Sequence, residues 1–308
     1  FLVFTMNRFC SGLMSKPSHP SWSTSLFCMD LDGVFDSEVF GFPHATLSSL
    51  EALEILQSNG FSVMLNTGRS IAHVRNYCHS YTLPGGIAEY GSVFFDHCRG
   101  QEYPLTDAQS LKQLEHCAEL IGRLDGVFVD PAYRYSIRAY RANGTGTAGL
   151  RPDEVENLLQ RWRFDKLSYI CRGPDSYIVA KGTNKGAAIR EIRQCLGLVD
   201  GPLTAIGDSD QDVPMLKEAK AGYAPANCSA EVRHLSGKGR VRIMREPHQR
   251  GLLAAVHDMI PDSRNNRRKI DHGSQRIRTI SGMMVRLLRV AELSRARRLA
   301  AAMNWRSL

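Results

Sequence analysis

Apolar runs and helical spacings divide this chain into stretches of different rhythm. Leu26 to Leu31 is a short apolar run ending in acids and Gly33, the pattern of a buried strand that opens into a functional loop. Leu47, Leu50, Leu53 and Leu56 then recur at helical spacing, and Asn59-Gly60 supplies the stop. Phe61 to Leu65 is a second buried strand, closed by Asn66-Thr67-Gly68-Arg69. Strand, helix and strand in this order predict a βαβ unit and hence a parallel sheet.

From about Asp96 to Ala180 the pattern changes. Thr106, with Gln109 three residues on, predicts a capping box for a helix carrying Leu111, Leu114, Cys117, Ile121 and Leu124 on one side. Val127–Val129 and Tyr135–Tyr140 are expected strands, and Asn143-Gly144-Thr145-Gly146 a turn or loose loop. Pro152 opens another helix, followed by strands near 167–171 and 176–180. This α-β-β-α-β-β order predicts an α+β module inserted into the first domain. The α/β rhythm returns with a helix over Lys185–Leu196, a strand over Leu203–Ile206 and a helix over Val213–Ala219. Short strands near 221–224 and 240–244 and a helix over about 249–260 complete it. The expected organisation is a leader (1–25), a core domain (26–95 and 181–260), an inserted domain (96–180) and a tail (261–308).

Composition narrows the function classes. With 43% apolar and 23% charged residues among 308, the chain is an ordinary globular sequence, which excludes collagen, rods and wholesale disorder. No apolar run approaches the roughly 20 residues of a membrane span. The net charge of +8 resides in the tail: Arg264 to Leu308 holds 12 Lys/Arg and 2 Asp/Glu, leaving 27 basic and 29 acidic residues elsewhere. The folded body therefore carries no nucleic-acid signature. The tail reads either as disordered or as a basic amphipathic helix suited to an acidic partner or membrane surface. Eight cysteines without Cys-x-x-Cys or zinc-finger spacing predict reduced, buried thiols and a cytoplasmic protein. The acid-free leader, with six serines in residues 1–29, is expected to be disordered, an organelle-targeting segment being the alternative.

Four segments lie at the end of an expected strand or the start of an expected helix. They are Met29-Asp30-Leu31-Asp32-Gly33-Val34, Leu65-Asn66-Thr67-Gly68-Arg69, Asn184-Lys185-Gly186, and Ile206-Gly207-Asp208-Ser209-Asp210-Gln211-Asp212. In an open parallel sheet such strand ends share one crevice. Carboxylates, a hydroxyl and a lysine converging there suit phosphoryl transfer, in which carboxylates hold Mg²⁺ and the other groups neutralise phosphoryl oxygens. Asp30 and Asp32, two apart on an extended segment, point the same way, so one can attack phosphorus while the other handles the leaving oxygen's proton.

In this order the four segments resemble the motifs of the haloacid dehalogenase superfamily of phosphohydrolases. The insertion resembles the α/β cap of its hydroxymethylpyrimidine-pyrophosphatase-like and sugar-phosphatase branch. The resemblance covers about residues 25–260 and implies a Rossmann-like, three-layer α/β/α core with a parallel sheet and an inserted α+β cap. It implies that Asp30 is the nucleophile, that Asp32 is acid and then base, and that Thr67 and the Gly68 amide hold the phosphoryl group. Lys185, at the helix start and preferred to Lys181, would offset its charge. Asp30, the Asp32 carbonyl and Asp208 would ligate Mg²⁺, with Asp212 in support. The branch often carries Gly-x-Asn-Asp in the last motif, where this chain has Ser209-Asp210-Gln211-Asp212.

Arg69, next to Gly68, and Arg138, in the insertion, are the candidate substrate contacts, while Glu89 and Tyr90 are expected to shape the wall of the site. The implied activity is Mg²⁺-dependent hydrolysis of a small phosphorylated metabolite. A phosphomutase acting on a hexose phosphate and a non-catalytic sensing or binding module remain as alternatives.

Overall fold

The computed structural model describes residues 21–39, 42–144, 146–172 and 175–261. The expectations for residues 1–20 and for the tail from 262 onward lie outside the described residues. The first half of the chain forms β1 (Leu26–Met29), β2 (Asp36–Val39), β3 (Phe42–Ala45), α1 (Leu47–Ser58), β4 (Ser62–Asn66), α2 (Ile71–Tyr81), β5 (Gly85–Ala88), β6 (Val93–Asp96) and β7 (Gln101–Pro104). Then come α3 (Ala108–Gly122), β8 (Val127–Val129), β9 (Ile137–Asn143), β10 (Gly146–Ala148), α4 (Pro152–Arg161), β11 (Leu167–Arg172) and β12 (Asp175–Ala180). The last third supplies α5 (Lys185–Cys195), β13 (Leu203–Ile206), α6 (Val213–Glu218), β14 (Ala221–Ala224), α7 (Ala230–Gly237), β15 (Val241–Ile243) and α8 (His248–Met259).

An eight-stranded sheet runs in the order β15-β14-β13-β1-β4-β5-β6-β7. Its members from β15 to β5 are parallel, and β6 and β7 close it as antiparallel strands. β1 alternates its side chains between two cores, which explains its uninterrupted apolar character. Phe27 and Met29 pack with Leu53 and Leu56 of α1, Val74 and Tyr77 of α2, and Leu252 and Val256 of α8. Leu26 and Cys28 face the opposite core, with Ile189 and Ile192 of α5, Leu216 of α6 and Val232 of α7. The fold is thus a three-layer α/β/α sandwich, as expected.

A second, antiparallel sheet joins β10, β9, β12 and β11, with β8 also pairing with β9. α3 and α4 cover it through Leu114, Cys117, Ile121, Val155 and Leu159. Several details differ from expectation. The chain leaves the large sheet only after Pro104, since β7 pairs with β6 there, so the boundary expected at residue 96 moves past that strand. After Asn143 the chain continues into a further hairpin strand, β10, which pairs antiparallel with β9. Asp107, not Thr106, caps α3, because its carboxylate accepts from the Gln109 and Ser110 amides, whereas the Thr106 hydroxyl donates to the Ser92 carbonyl.

The β2–β3 hairpin gave no periodic signal, its four-residue strands being too short to show one. Of the seven described cysteines, all unpaired, Cys98, Cys171 and Cys195 are exposed rather than buried. They lie after β6, on β11 and at the end of α5, at positions that face water. No helix among the described residues is long and apolar enough to cross a membrane.

Candidate active site

β1 lies between β4 and β13, with Met29 in register with both Leu65 and Ile206. The residues that follow these three parallel strands therefore emerge side by side. Asp30 continues β1, its amide donating to the Ile206 carbonyl at 3.1 Å. Its carboxylate is 2% exposed. Oδ1 accepts from Lys185 Nζ at 2.7 Å and from the Leu31 amide at 2.8 Å. Oδ2 is buried and has no hydrogen-bond partner. The chain then turns back through Gly33, at φ +78°, where a Cβ would also collide with the Asp208 carboxylate.

At the end of β4, Asn66 Nδ2 donates to the Lys185 carbonyl at 3.0 Å and so ties this strand to the start of α5. Thr67 is fully buried, and its hydroxyl oxygen accepts from the Arg69 amide at 3.2 Å. Tyr90 packs so tightly against Gly68 that a side chain there would strike its ring. Asn184 caps α5, accepting from the Gly186 and Ala187 amides, and this cap sets the direction of Lys185. Lys181, by contrast, is exposed.

After β13 the chain folds back on itself. Asp212 Oδ2 accepts from the Asp208 amide (3.1 Å), the Ser209 amide (2.9 Å) and the Ser209 hydroxyl (2.7 Å). Its Oδ1 accepts from Lys185 Nζ at 2.6 Å. Asp212 thus shapes the loop and also anchors the lysine. Asp208 Oδ2 accepts from Asn227 Nδ2 at 3.0 Å, and Asp210 is exposed.

Among the described residues, carboxylate oxygens of Asp30, Asp208 and Asp212 lie within 4.8 Å of one another. Burial, then the Asp212 charge, raise the Asp30 carboxyl above the ordinary range, with Lys185 opposing. Burial also works against charge on Asp212, but the Lys185 ammonium and the Ser209 donors bring it below the usual value. Burial disfavours the Lys185 ammonium, yet the Asp212 and Asp30 carboxylates raise its pKa above that of a free lysine. An all-oxygen donor set with an unpartnered buried carboxylate oxygen fits a hard divalent cation such as Mg²⁺.

The Asp32 carboxylate stands apart from that cluster. It is 49% exposed and faces Arg69, whose Nε lies 3.1 Å from both of its oxygens and whose Nη2 contacts it as well. Arg138, the expected substrate contact in the insertion, is engaged in ion pairs within its own domain. Its terminal nitrogens are held by Asp130 at 2.7 Å and Asp175 at 2.9 Å, and its guanidinium lies against the Tyr133 and Tyr140 rings.

Three groups near the site escaped sequence reasoning. Asp36, buried behind Arg69, meets it at 3.2 Å, and Asn227 orients Asp208. Glu89 was expected only to shape a wall. Its carboxylate in fact accepts from the Tyr135 amide and Ser136 hydroxyl, both at 2.9 Å, and from the Arg134 and Ile71 amides at 3.3 and 3.4 Å. It thereby ties the large sheet to the segment entering β9. Burial raises its carboxyl, and these donors oppose the rise. Glu89 and Tyr90 both adopt positive φ (53° and 60°), a local strain with no sequence signature.

Residues 154–238 match the family model for haloacid dehalogenase-like hydrolases. The chain is similar to a phosphoglycolate phosphatase of Methanospirillum hungatei, 24% identical over 228 residues that cover 70% of this chain and 93% of the relative. It is likewise similar to one of Methanopyrus kandleri, 27% identical over 227 residues covering 69% and 89%. Among solved structures it shares its fold with the Thermoplasma acidophilum 0175 protein, at TM-score 0.56 and 17% identity, covering 77% of this chain and 98% of that one. The sucrose-phosphatase of Synechocystis sp. PCC6803, solved in complex with sucrose and phosphate, matches at TM-score 0.54 and 18% identity over the same shares.

Proposed function

We propose that the chain is a phosphatase of the haloacid dehalogenase-like hydrolases acting on a phosphorylated small molecule, and that it works with Mg²⁺ and through an aspartyl-phosphate on Asp30. The observation that carries this reading is the buried Asp30 carboxylate, with one oxygen fixed by Lys185 and the other unpartnered. Asp30, Asp208 and, in support, Asp212 would hold Mg²⁺, which when bound offsets negative charge on the phosphoryl oxygens.

The protein's own groups divide the work. Lys185 favours the ionised, nucleophilic form of Asp30 against its burial. The Thr67 hydroxyl, which accepts from Arg69 N, still has its O–H to donate to a phosphoryl oxygen. As the bond from the Asp30 carboxylate to phosphorus forms and the ester P–O bond breaks, Asp32 protonates the leaving oxygen. Asp32 then takes a proton from water, which attacks phosphorus and frees Asp30 and inorganic phosphate.

Residues from about 105 to 180 act in this reading as a cap over the cleft, which keeps bulk water from the intermediate. The phosphoglycolate phosphatase relatives make a short phosphorylated acid the first substrate to test. Phosphate release from phosphoglycolate, sugar phosphates and an aryl phosphate should be abolished by EDTA and by Asp30→Asn. A folded Asp30→Asn protein that still turns over would overturn the mechanism.

A further inference from the structure

Asp36 is a buried carboxylate outside the Asp30, Asp208 and Asp212 cluster. Arg69 bridges it to the site: Nη1 lies 3.2 Å from Asp36 Oδ2, while Nε and Nη2 hold Asp32. Asp36 is itself fixed on three sides. The Tyr77 hydroxyl donates to the same Oδ2, Gln249 Nε2 donates to the Asp36 carbonyl, and the Asp36 amide donates to the Leu31 carbonyl at 2.8 Å. Side-chain exposure rises along the chain of contacts, from 2% at Asp36 through 16% at Arg69 to 49% at Asp32.

Two physical points follow. A carboxylate as deeply buried as that of Asp36 is costly to bury, and an apolar residue would serve stability better there. An Arg–Asp pair with one exposed partner is weak and free to drift, but a guanidinium drawn at Nη1 by a second, buried carboxylate has its planar Nε/Nη2 edge biased toward Asp32.

We propose that Asp36 is a positioning residue, which through Arg69 holds the Asp32 carboxylate where it exchanges protons with the leaving oxygen and with water. The proposal rests on the proton-transfer role given to Asp32 above. When the ester P–O bond breaks, the Asp32 proton moves to the leaving oxygen and the new carboxylate charge faces Arg69. The proton returns to Asp32 from water as the Asp30–phosphorus bond breaks.

The test is kcat/KM for a series of phosphomonoesters, from nitrophenyl phosphate to the alkyl ester phosphoglycolate, in wild type and Asp36→Asn. General acid catalysis commonly contributes about 10²–10⁴-fold, and it matters most for a poor leaving group. Asp36→Asn should therefore lower alkyl-ester turnover by about tenfold more than nitrophenyl-ester turnover. Tyr77→Phe, which keeps the ring volume, should shift the ratio the same way by less, and it carries the test if Asp36→Asn does not fold. In an Asp32→Asn background the Asp36 substitution should leave the ratio unchanged.

A uniform loss across the series, or an unchanged alkyl rate, means a purely structural ion pair and overturns the proposal while leaving the phosphatase reading intact. A wild type silent on every ester overturns that reading and this proposal with it.

Discussion

Replacing Lys185 with Met tests the electrostatic heart of the site. The substitution keeps chain length but removes an ammonium 2.7 Å from Asp30 and 2.6 Å from Asp212, in a cluster where no side chain is more than 2% exposed. Removing one partner of a buried ion pair costs about 3–5 kcal/mol, because the charge left behind is neither solvated nor compensated. For a protein of this size each kcal/mol lowers Tm by about 2–4 °C, so the expected drop is about 6–20 °C. The remaining carboxylates can relieve the cost by taking up a proton. Asp30 already sits above the ordinary carboxylate range, so its folded form binds a proton more tightly than its unfolded form. Stability is then lost as pH rises above that range, and the Tm deficit of Lys185→Met should be larger at mildly alkaline than at mildly acidic pH. Thermal melts followed by circular dichroism in EDTA at both pH values read this directly. Added Mg²⁺ should recover more of the Tm in the variant than in the wild type. A Tm within about 2 °C of wild type at alkaline pH, or a deficit independent of pH, would refute the view that the lysine holds uncompensated carboxylates together.

Two further expectations concern neighbouring positions. Gly33→Ala should lower both Tm and turnover, because it adds a φ +78° strain to a collision with the Asp208 carboxylate. Gly60→Ala, with the same φ and open space around it, should cost only about 1 kcal/mol and leave turnover alone, and equal effects on turnover would discount the collision. Burial pushes Asp36 up to about 7 despite Arg69 and Tyr77. Its contribution to wild-type stability is therefore lost as pH rises from about 4, the ordinary aspartate value, to about 7, a slope that Asp36→Asn should lack in paired melts.

Much of the site was legible because its motifs sit on strands that the sheet order makes neighbours. An apolar run such as Leu26–Met29 announces a buried strand through its own residues, and Asp30, Thr67 and Asp208 each follow such a run. The start of α5 was equally visible, since an Asn cap is a local device. The β2–β3 hairpin and the choice of Asp107 over Thr106 as a cap were not, because short polar segments offer no periodicity and adjacent capping residues compete on fine geometry.

The local sequence by itself determined the α/β alternation, the order of the four motifs and the chemistry those residue types can perform. Periodicity and capping act within a few residues, so they can be read along the chain. Only the tertiary structure decided which charges meet: Lys185 with Asp30 across 155 positions, Tyr135 with Glu89 across 46, and Arg69 between Asp32 and Asp36. It also closed Arg138 against Asp130 and Asp175. Such pairings depend on strand order and on which buried carboxylate most needs a counter-charge, and neither is written in any single segment.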